Sequence, residues 1–89
     1  MSWFIYMIRC SDNSLYTGIT TDTKRRFEEH KKLKGAKYFY AHTPVEVVYI
    51  ETAEDRSYAT KREGLIKQLS AAKKNLLIKS SNNLLLENS

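Results

Sequence analysis

The chain has 89 residues, the size of one small domain, and leaves no room for a separate recognition domain. It has no apolar run of about 18 residues, so no transmembrane span is predicted, and no signal peptide is expected because the N-terminus lacks a basic segment. Cys10 is the only cysteine, which excludes an internal disulfide and a cysteine-based zinc site. A cytoplasmic location is therefore expected.

The charge distribution leaves two interpretations open. Fifteen Lys and Arg residues against ten Asp and Glu residues give a formal net charge of +5. The basic residues are grouped, chiefly at 24–26, 31–37, 61–67 and 73–74. Such groups are typical either of solvated helix faces or of a surface that binds a polyanion such as nucleic acid. Charge alone does not separate these possibilities.

The first part of the chain predicts a β-hairpin. Residues 3–10 (WFIYMIRC) form a nearly continuous apolar run typical of a buried strand, and residues 15–19 (LYTGI) form a second short strand after turn-forming residues. Because side chains alternate along a strand, the loop length decides whether Tyr6 and Tyr16 share a face. A two-residue loop would separate them. We expect a three-residue loop over 12–14, which would set Cys10 opposite Tyr16 and place both tyrosines on one face.

The middle of the chain predicts a helix, a loop and a strand. The helix covers 22–33, after capping residues at its start, and spaces Arg26, His30 and Leu33 along one face. Residues 34–44 predict a loop whose aromatic residues pack or anchor it, and residues 45–51 predict a third strand.

Two helices are predicted in the remainder. The first covers 54–69, with Glu63 at the border of its apolar stripe, and the second starts at the Ser70 cap and runs through 78, where three apolar residues cover the sheet. A flexible tail is expected over 80–89. The members of the stripe are Tyr58, Arg62, Leu65, Ile66 and Leu69.

The predicted order is β-β-α-β-α-α in a single domain over residues 1–79. This order favours an α/β (α+β) fold, in which a small three-stranded, largely antiparallel sheet is flanked by helices.

Several polar side chains of these elements suit phosphodiester hydrolysis. That reaction needs a base that activates water, a cation that receives charge on the phosphate, and assistance to the leaving oxygen. Arginine matches phosphate with its paired donors, and a carboxylate can hold a divalent metal together with waters and phosphate oxygens. Tyrosine, with an ordinary pKa of about 10, becomes a plausible base beside cations or a metal, which favour the phenolate.

One set of residues has a distinctive spacing. Two tyrosines lie ten residues apart, an arginine follows ten residues later, a histidine four residues after that, and a glutamate lies in the segment ATKREGLIK. This pattern resembles the GIY-YIG nuclease domain over about residues 3–78. The stretch IYMIRCSDNSLYTGITTDTKRRFEEH is most similar to a small stand-alone bacterial group related to a junction-processing, structure-specific nuclease. The residues that carry the resemblance are Tyr6, Tyr16, Gly18, Arg26, His30 and Glu63.

The resemblance implies a role for each side chain. Tyr16 corresponds to the tyrosine proposed as general base, and Tyr6 to the tyrosine that orients it or the water. Arg26 corresponds to the arginine that contacts the scissile phosphate. Glu63 corresponds to the single glutamate that holds a divalent metal ion, Mg²⁺ or Mn²⁺. His30 matches a histidine of the subgroup, for which proton transfer and phosphate binding both remain open.

The chain also departs from the family pattern. Gly18 matches the family glycine, which lets backbone or substrate approach closely. Phe4 replaces the first glycine of the name motif and Thr17 replaces its second isoleucine, and neither position is assigned chemistry. Ile19 stands where some relatives have a lysine, which implies a weaker field at the proposed base. Asn75 is a candidate by spacing for an asparagine that other relatives use.

The resemblance implies a metal-dependent endonuclease that acts on DNA, with structure-specific cleavage in repair or recombination as the expected setting. Lys24, Arg25 and Lys31 are expected to make nonspecific phosphate contacts. The alternative is a nucleic-acid-binding module of the same fold that is not catalytic, or that needs a protein partner to supply specificity. A third possibility is an interaction protein whose basic face meets an acidic protein. A domain this small has little surface for base readout, so intrinsic sequence specificity is not expected.

Overall fold

The structure is a computed structural model that describes residues 2–88, with side chains through residue 86. Met1 and Ser89, the outer ends of the predicted domain and tail, lie outside the described residues. The predicted element order is confirmed, with two added 3₁₀ turns. The elements are β1 (Trp3–Cys10), β2 (Leu15–Thr20), α1 (Thr23–Lys31), a 3₁₀ turn (Lys37–Tyr40), β3 (Pro44–Ala53), α2 (Arg56–Lys67), α3 (Ala71–Ile78) and a second 3₁₀ turn (Leu84–Asn88).

The three strands form one antiparallel sheet, as the sequence predicts, and their order in it is β2-β1-β3. The central strand β1 is buried on both faces, which explains its nearly continuous apolar sequence. Ile5 and Met7 face one core, which α2 covers with Ala59. Tyr6 belongs to the other core, which is smaller and rich in aromatic side chains, and Phe39 of the first 3₁₀ turn packs there.

The turn between β1 and β2 has three residues, as predicted, but it covers 11–13 rather than 12–14. The Cys10 amide donates to the Ser14 carbonyl oxygen at 2.9 Å, which closes the loop one residue earlier than expected. Asn13 takes φ 70°, a left-handed conformation that asparagine tolerates and that three-residue hairpin loops require. Because four consecutive residues are turn-forming, the sequence does not determine which three of them form the loop. The left-handed conformation of Asn13 places the loop at 11–13.

The resulting register sets Tyr16 opposite Ile8, so the expected pairing of Tyr16 with Cys10 is wrong. A shift of two residues leaves the side-chain faces unchanged because the strand period is two. Tyr6 and Tyr16 therefore emerge on the same face of the hairpin, and that part of the prediction is confirmed. The two ring centroids lie 6.3 Å apart, and Gly18 lies opposite Tyr6.

The predicted apolar stripe of α2 is wrong at two positions, since Tyr58 and Leu65 are 51% and 56% exposed. Ile66 of the predicted stripe is buried against the sheet, together with Ala59 seven residues before it. The small alanine lets the helix approach the sheet closely, which turns the larger residues outward. Glu63 lies at the border of the buried face, with its side chain 21% exposed, and its predicted partial burial is confirmed.

Two further packing predictions are wrong. α1 ends before Leu33, which has φ 59° and is exposed, so Leu33 does not share the buried face with His30. In α3, Leu76 is exposed, whereas Leu77 and Ile78 pack on the core as predicted. The predicted cap at the start of α3 is confirmed, because the Ser70 hydroxyl accepts a hydrogen bond from the Lys73 amide at 3.2 Å.

The segment after α3 is attached to β3 through Asn83, whose side chain is buried. Its amide nitrogen donates to the carbonyl oxygens of Val48 and Ile78, both at 2.8 Å. Its amide oxygen accepts from the Ile50 backbone at 3.2 Å. The flexibility expected for residues 80–89 stays a prediction. No helix within residues 2–88 has the length and hydropathy needed to cross a membrane.

Candidate active site

The centre of the site is a buried contact between β1 and α1. Tyr6 on β1 is 2% exposed and His30 on α1 is fully buried. The Tyr6 hydroxyl oxygen lies 2.8 Å from His30 Nε2, which is hydrogen-bonding distance. The imidazole ring packs against Phe39, with a centroid distance of 4.4 Å. This packing fixes both side chains, so they are a rigid part of the site.

The environment of His30 determines its charge. Burial, assisted by the nearby Arg26, lowers the pKa of His30 to about 4, so the ring is neutral near pH 7. Among the described residues, Nδ1 of His30 has no hydrogen-bond partner and faces Gly35, where a Cβ atom would lie 2.2 Å from it. A neutral ring can donate from Nε2 to the Tyr6 oxygen or accept the Tyr6 hydroxyl hydrogen there, according to its tautomer.

Arg26 connects this buried pair to the protein surface. It lies one helical turn before His30 on α1, close enough to the Tyr6 hydroxyl to act against the rise in the pKa of Tyr6 that burial causes. Its Nη1 donates to Glu29 Oε1 at 3.0 Å, and the side chain keeps 33% of its surface exposed. Since a guanidinium has five N–H donors, Arg26 can pair with Glu29 and still offer donors to a phosphate.

Tyr16 is the more accessible of the two tyrosines. It is half-buried, with its ring 4.7 Å from Phe39 and 5.4 Å from His30 between centroids. Burial is the main cause that raises the pKa of Tyr16, and also that of Tyr6, above the ordinary value. Lys67 and Arg26 do lower the pKa of Tyr16, as expected of neighbouring cations, but burial outweighs them in the free protein. Both phenols are protonated near neutral pH.

Lys67 is a cation of the site that sequence reasoning missed. Its Nζ lies 3.3 Å from Glu63 Oε2 on the same face of α2, and Lys67 is the strongest of the groups that lower the pKa of Tyr16. The sequence carried one signal, its position four residues after Glu63, but i,i+4 pairs of this kind are common on exposed helices. A cation on α2 thus acts on a tyrosine of β2.

Gly18 provides space for the tyrosines. A Cβ atom at this position would lie 2.5 Å from the Tyr6 hydroxyl oxygen and 3.1 Å from Cε2 of Tyr16. Real Cβ atoms do not approach a heavy atom that closely, so a side chain here would displace the Tyr6 hydroxyl. In the structure the close approach at this glycine is made by Tyr6 from the paired strand.

A family model described as the GIY-YIG catalytic domain matches residues 2–75. The chain belongs to the GIY-YIG family. The family is one of nucleases, generally endonucleases, whose substrates are nucleic acids. The observed sheet with helices on both faces carries the two tyrosines, the arginine and the glutamate that the name and the resemblance single out.

Relatives of this GIY-YIG protein share most of its length. A UPF0213 protein of Desulfotalea psychrophila is 52% identical over 81 residues, which cover 90% of this chain and 74% of that protein. The UPF0213 protein YhbQ of Escherichia coli is 43% identical over 76 residues, 85% of this chain and 76% of that protein. The solution NMR structure of the UPF0213 protein BH0048 from Bacillus halodurans is similar with a TM-score of 0.61 and 32% identity, covering 100% of this chain and 95% of that one.

The GIY-YIG domain does not bring every candidate residue to the tyrosines. The amide group of Asn75 is engaged elsewhere, since its oxygen accepts from Arg9 Nη2 at 2.8 Å and its nitrogen donates to the Ala71 carbonyl at 2.9 Å. Lys31 pairs with Glu28 at 3.2 Å. Lys24 is exposed on α1, and Arg25 lies 3.9 Å from Glu29 on the same side as Arg26. Their functional roles stay predictions.

The donor atoms of the site suit a weakly held metal. Within residues 2–88, no group of three or more His, Cys, Asp and Glu side chains could hold an ion. Glu63 offers a single, partly exposed carboxylate near both tyrosines. Mg²⁺ commonly binds through one or two carboxylates and completes its shell with waters and substrate phosphates. The residues therefore fit an ion that binds together with a substrate.

Proposed function

We propose that this protein is a metal-dependent endonuclease that hydrolyses phosphodiester bonds in DNA. The proposal rests on one observation above the others, the cluster in which His30 lies within hydrogen-bonding distance of the buried hydroxyl of Tyr6, with Arg26 nearby and the half-exposed Tyr16 beside it. This arrangement places two tyrosines, a histidine and an arginine together. It is well suited to positioning a phosphate and a water molecule.

The proposed role of each side chain follows from its exposure. Tyr6 is too buried to meet the substrate, so it orients Tyr16 and Arg26. Arg26 directs its remaining donors at the phosphate and stabilises the charge that develops there. Tyr16 lies where it can accept a proton from the attacking water. When bound at the Glu63 carboxylate with waters and phosphate oxygens, Mg²⁺ or Mn²⁺ supplies positive charge that polarises the phosphate.

The protonated state of Tyr16 sets a condition on this mechanism. A base must be deprotonated, so the pKa of Tyr16 has to fall in the complex with substrate. Lys67 and Arg26 are the two cations already in place to lower it. The rate of cleavage is then expected to rise with pH above neutrality, by up to about tenfold per pH unit while Tyr16 remains mostly protonated.

The proposed substrate is DNA recognised by its shape, such as a branched or single-stranded structure, in repair or recombination. The size and charge of the protein support this, because a small basic domain can hold a phosphate backbone but has little surface for reading bases. A protein partner is proposed to supply further specificity. The free, buried thiol of Cys10 is compatible with the proposed cytoplasmic setting.

A cleavage panel tests the proposed activity. Duplex, flap, junction and single-stranded DNA are incubated with Mg²⁺ or Mn²⁺, and products are separated on denaturing gels. We expect metal-dependent cleavage that Tyr16→Phe and Glu63→Gln each reduce at least about a hundredfold, as expected for loss of a proton acceptor or of the metal carboxylate. Tyr40→Phe is the matched control, because Tyr40 is 66% exposed and outside the cluster. Cleavage that survives both site variants, or its absence on every substrate, would contradict the proposal.

A second candidate function is a nucleic-acid-binding module that lacks intrinsic catalysis or needs a partner for it. Two observations favour it: both tyrosines are protonated in the free protein, and the Glu63 carboxylate is already paired with Lys67. This function predicts salt-sensitive DNA binding that persists in Tyr16→Phe and Glu63→Gln, with no cleavage by any of the proteins.

A further inference from the structure

Arg26 lines a second feature, a cleft at the end of the sheet where β1 begins and β2 ends. Its volume is about 260 Å³, below the ~300 Å³ at which pockets for small organic ligands begin. Arg25 joins Arg26 on one wall, Arg56 at the start of α2 forms another, and Trp3 and Ile19 provide apolar surface. The cleft is therefore too small to enclose a separate small molecule but is rich in guanidinium groups.

The charge of the cleft is only partly neutralised by the side chains that the structure describes. Its one carboxylate, Glu29, lies 3.0 Å from Arg26 and 3.9 Å from Arg25. Arg56 takes part in none of the ion pairs formed among residues 2–88. Three guanidinium groups thus face one carboxylate. This leaves two positive charges for an anion from outside.

The position of Arg56 indicates that its charge does not stabilise helix α2. It is the first residue of α2, immediately after the Asp55 cap, and a cation is unfavourable at that positive end of a helix. Its guanidinium lies 5.8 Å from the centre of the Trp3 ring, a cation–π contact that holds the group at the cleft wall. The charge is therefore held in place at a position where helix stability does not require it.

We propose that Arg25 and Arg56 bind the backbone phosphate next to the scissile one, so that the cleft carries a single nucleic-acid strand away from the tyrosines. The inference rests on the proposed nuclease function and deepens it. Arg26 belongs to both sites, so the cleft begins where the scissile phosphate is held. The next phosphate of the same strand is then the nearest anion that matches the free charge, and Trp3 and Ile19 lie against its sugar.

The first experiment measures binding without catalysis. Fluorescence anisotropy of a labelled single-stranded oligonucleotide in EDTA is recorded between 50 and 200 mM salt. Arg56→Gln is expected to weaken binding roughly threefold to tenfold and to reduce the salt slope by about one, as loss of one phosphate contact requires. Lys61→Gln is the matched control, because it removes the same charge from an exposed position of the same helix outside the cleft. Arg56→Lys should restore part of the affinity.

The second experiment identifies the phosphate. Single methylphosphonate linkages, which are uncharged, replace one phosphate at a time around the cleavage position. At the phosphate held by Arg56, the loss of affinity in wild type should be absent in Arg56→Gln. Equal binding and equal salt slopes for Arg56→Gln and Lys61→Gln would overturn the assignment of the cleft. So would a loss of affinity from Arg56→Gln that simply adds to the loss from the methylphosphonate at every neighbouring linkage.

Failure of the nuclease proposal has a separate signature. Binding that depends on Arg56 but is never followed by cleavage would refute the catalytic proposal and support the phosphate cleft. Cleavage that requires Tyr16 and Glu63 but not Arg56 would refute the cleft alone.

Discussion

Replacing Gly35 by alanine tests whether the His30 ring is held as tightly as the structure indicates. The new Cβ would lie 2.2 Å from His30 Nδ1 and 2.6 Å from Cε1, both far inside van der Waals contact. No described glycine has positive φ, so the backbone at Gly35 can accept alanine without strain. The whole cost therefore arises from the ring, which is fully buried and cannot swing into solvent.

The expected loss of stability is about 2 kcal/mol. Overpacking a well-packed interior typically costs roughly 1–3 kcal/mol, and a shifted ring also weakens the 2.8 Å hydrogen bond to Tyr6, worth about 1 kcal/mol. Alanine restricts the unfolded chain, which offsets about 0.4–1 kcal/mol. For a domain of this size, the melting temperature should fall by roughly 8–16 °C.

Urea denaturation monitored by circular dichroism measures the effect, with Gly64→Ala as the matched control. A Cβ at Gly64 meets nothing within 4 Å, and the position lies inside α2, so alanine there should stabilise the protein by up to about 1 kcal/mol. The same glycine-to-alanine substitution should thus lower the stability at position 35 and raise it at position 64. A Gly35→Ala variant as stable as wild type would refute the tight contact between Gly35 and the His30 ring.

Two further predictions concern protonation. The pKa of His30 is lowered to about 4 from an unfolded value of about 6.5, so the contribution of His30 to stability is complete above pH 6.5 and declines as pH falls toward 4, by up to roughly 3 kcal/mol. The urea midpoints of wild type and His30→Gln should therefore converge at low pH. Midpoints that stay equally far apart across this pH range would contradict the prediction. Lys67→Gln should raise the pKa of Tyr16 and slow cleavage near pH 7 by roughly twofold to fivefold, with the rate recovering at higher pH. A cleavage rate reduced by the same factor at every pH would argue against an effect of Lys67 through the pKa of Tyr16.

The sequence predicted the fold and the shared face of the two tyrosines, because both depend on local patterns. The apolar run of β1, the capping residues and the period of two along the hairpin are all properties of neighbouring residues. The predicted position of the loop was wrong by one residue, since four consecutive turn-forming residues permit a loop over 11–13 or over 12–14. Only the φ of Asn13 distinguishes them.

The errors in α2 and the missed groups depend on contacts between distant segments. Hydrophobicity favoured Leu65 as a buried residue, but Ala59 determines how close the helix lies to the sheet and therefore which side faces it. The state of His30 depends on Tyr6, 24 residues away, and on Gly35 in a loop. Lys67 becomes part of the site only because α2 brings it near Tyr16 on β2. No spacing rule reports such distances.

Asn83 has a consequence for association of the protein with itself. Within residues 2–88, β3 has no partner strand on its outer side, so its backbone groups could pair with a strand of another molecule. The Asn83 amide occupies the Val48 carbonyl and the Ile50 N–H in the manner of an adjoining strand. A side chain from the end of the chain thus acts as a one-residue substitute for a fourth strand. Residues beyond α3 protect the sheet from edge-to-edge aggregation, and shortening the chain before Asn83 would expose that edge.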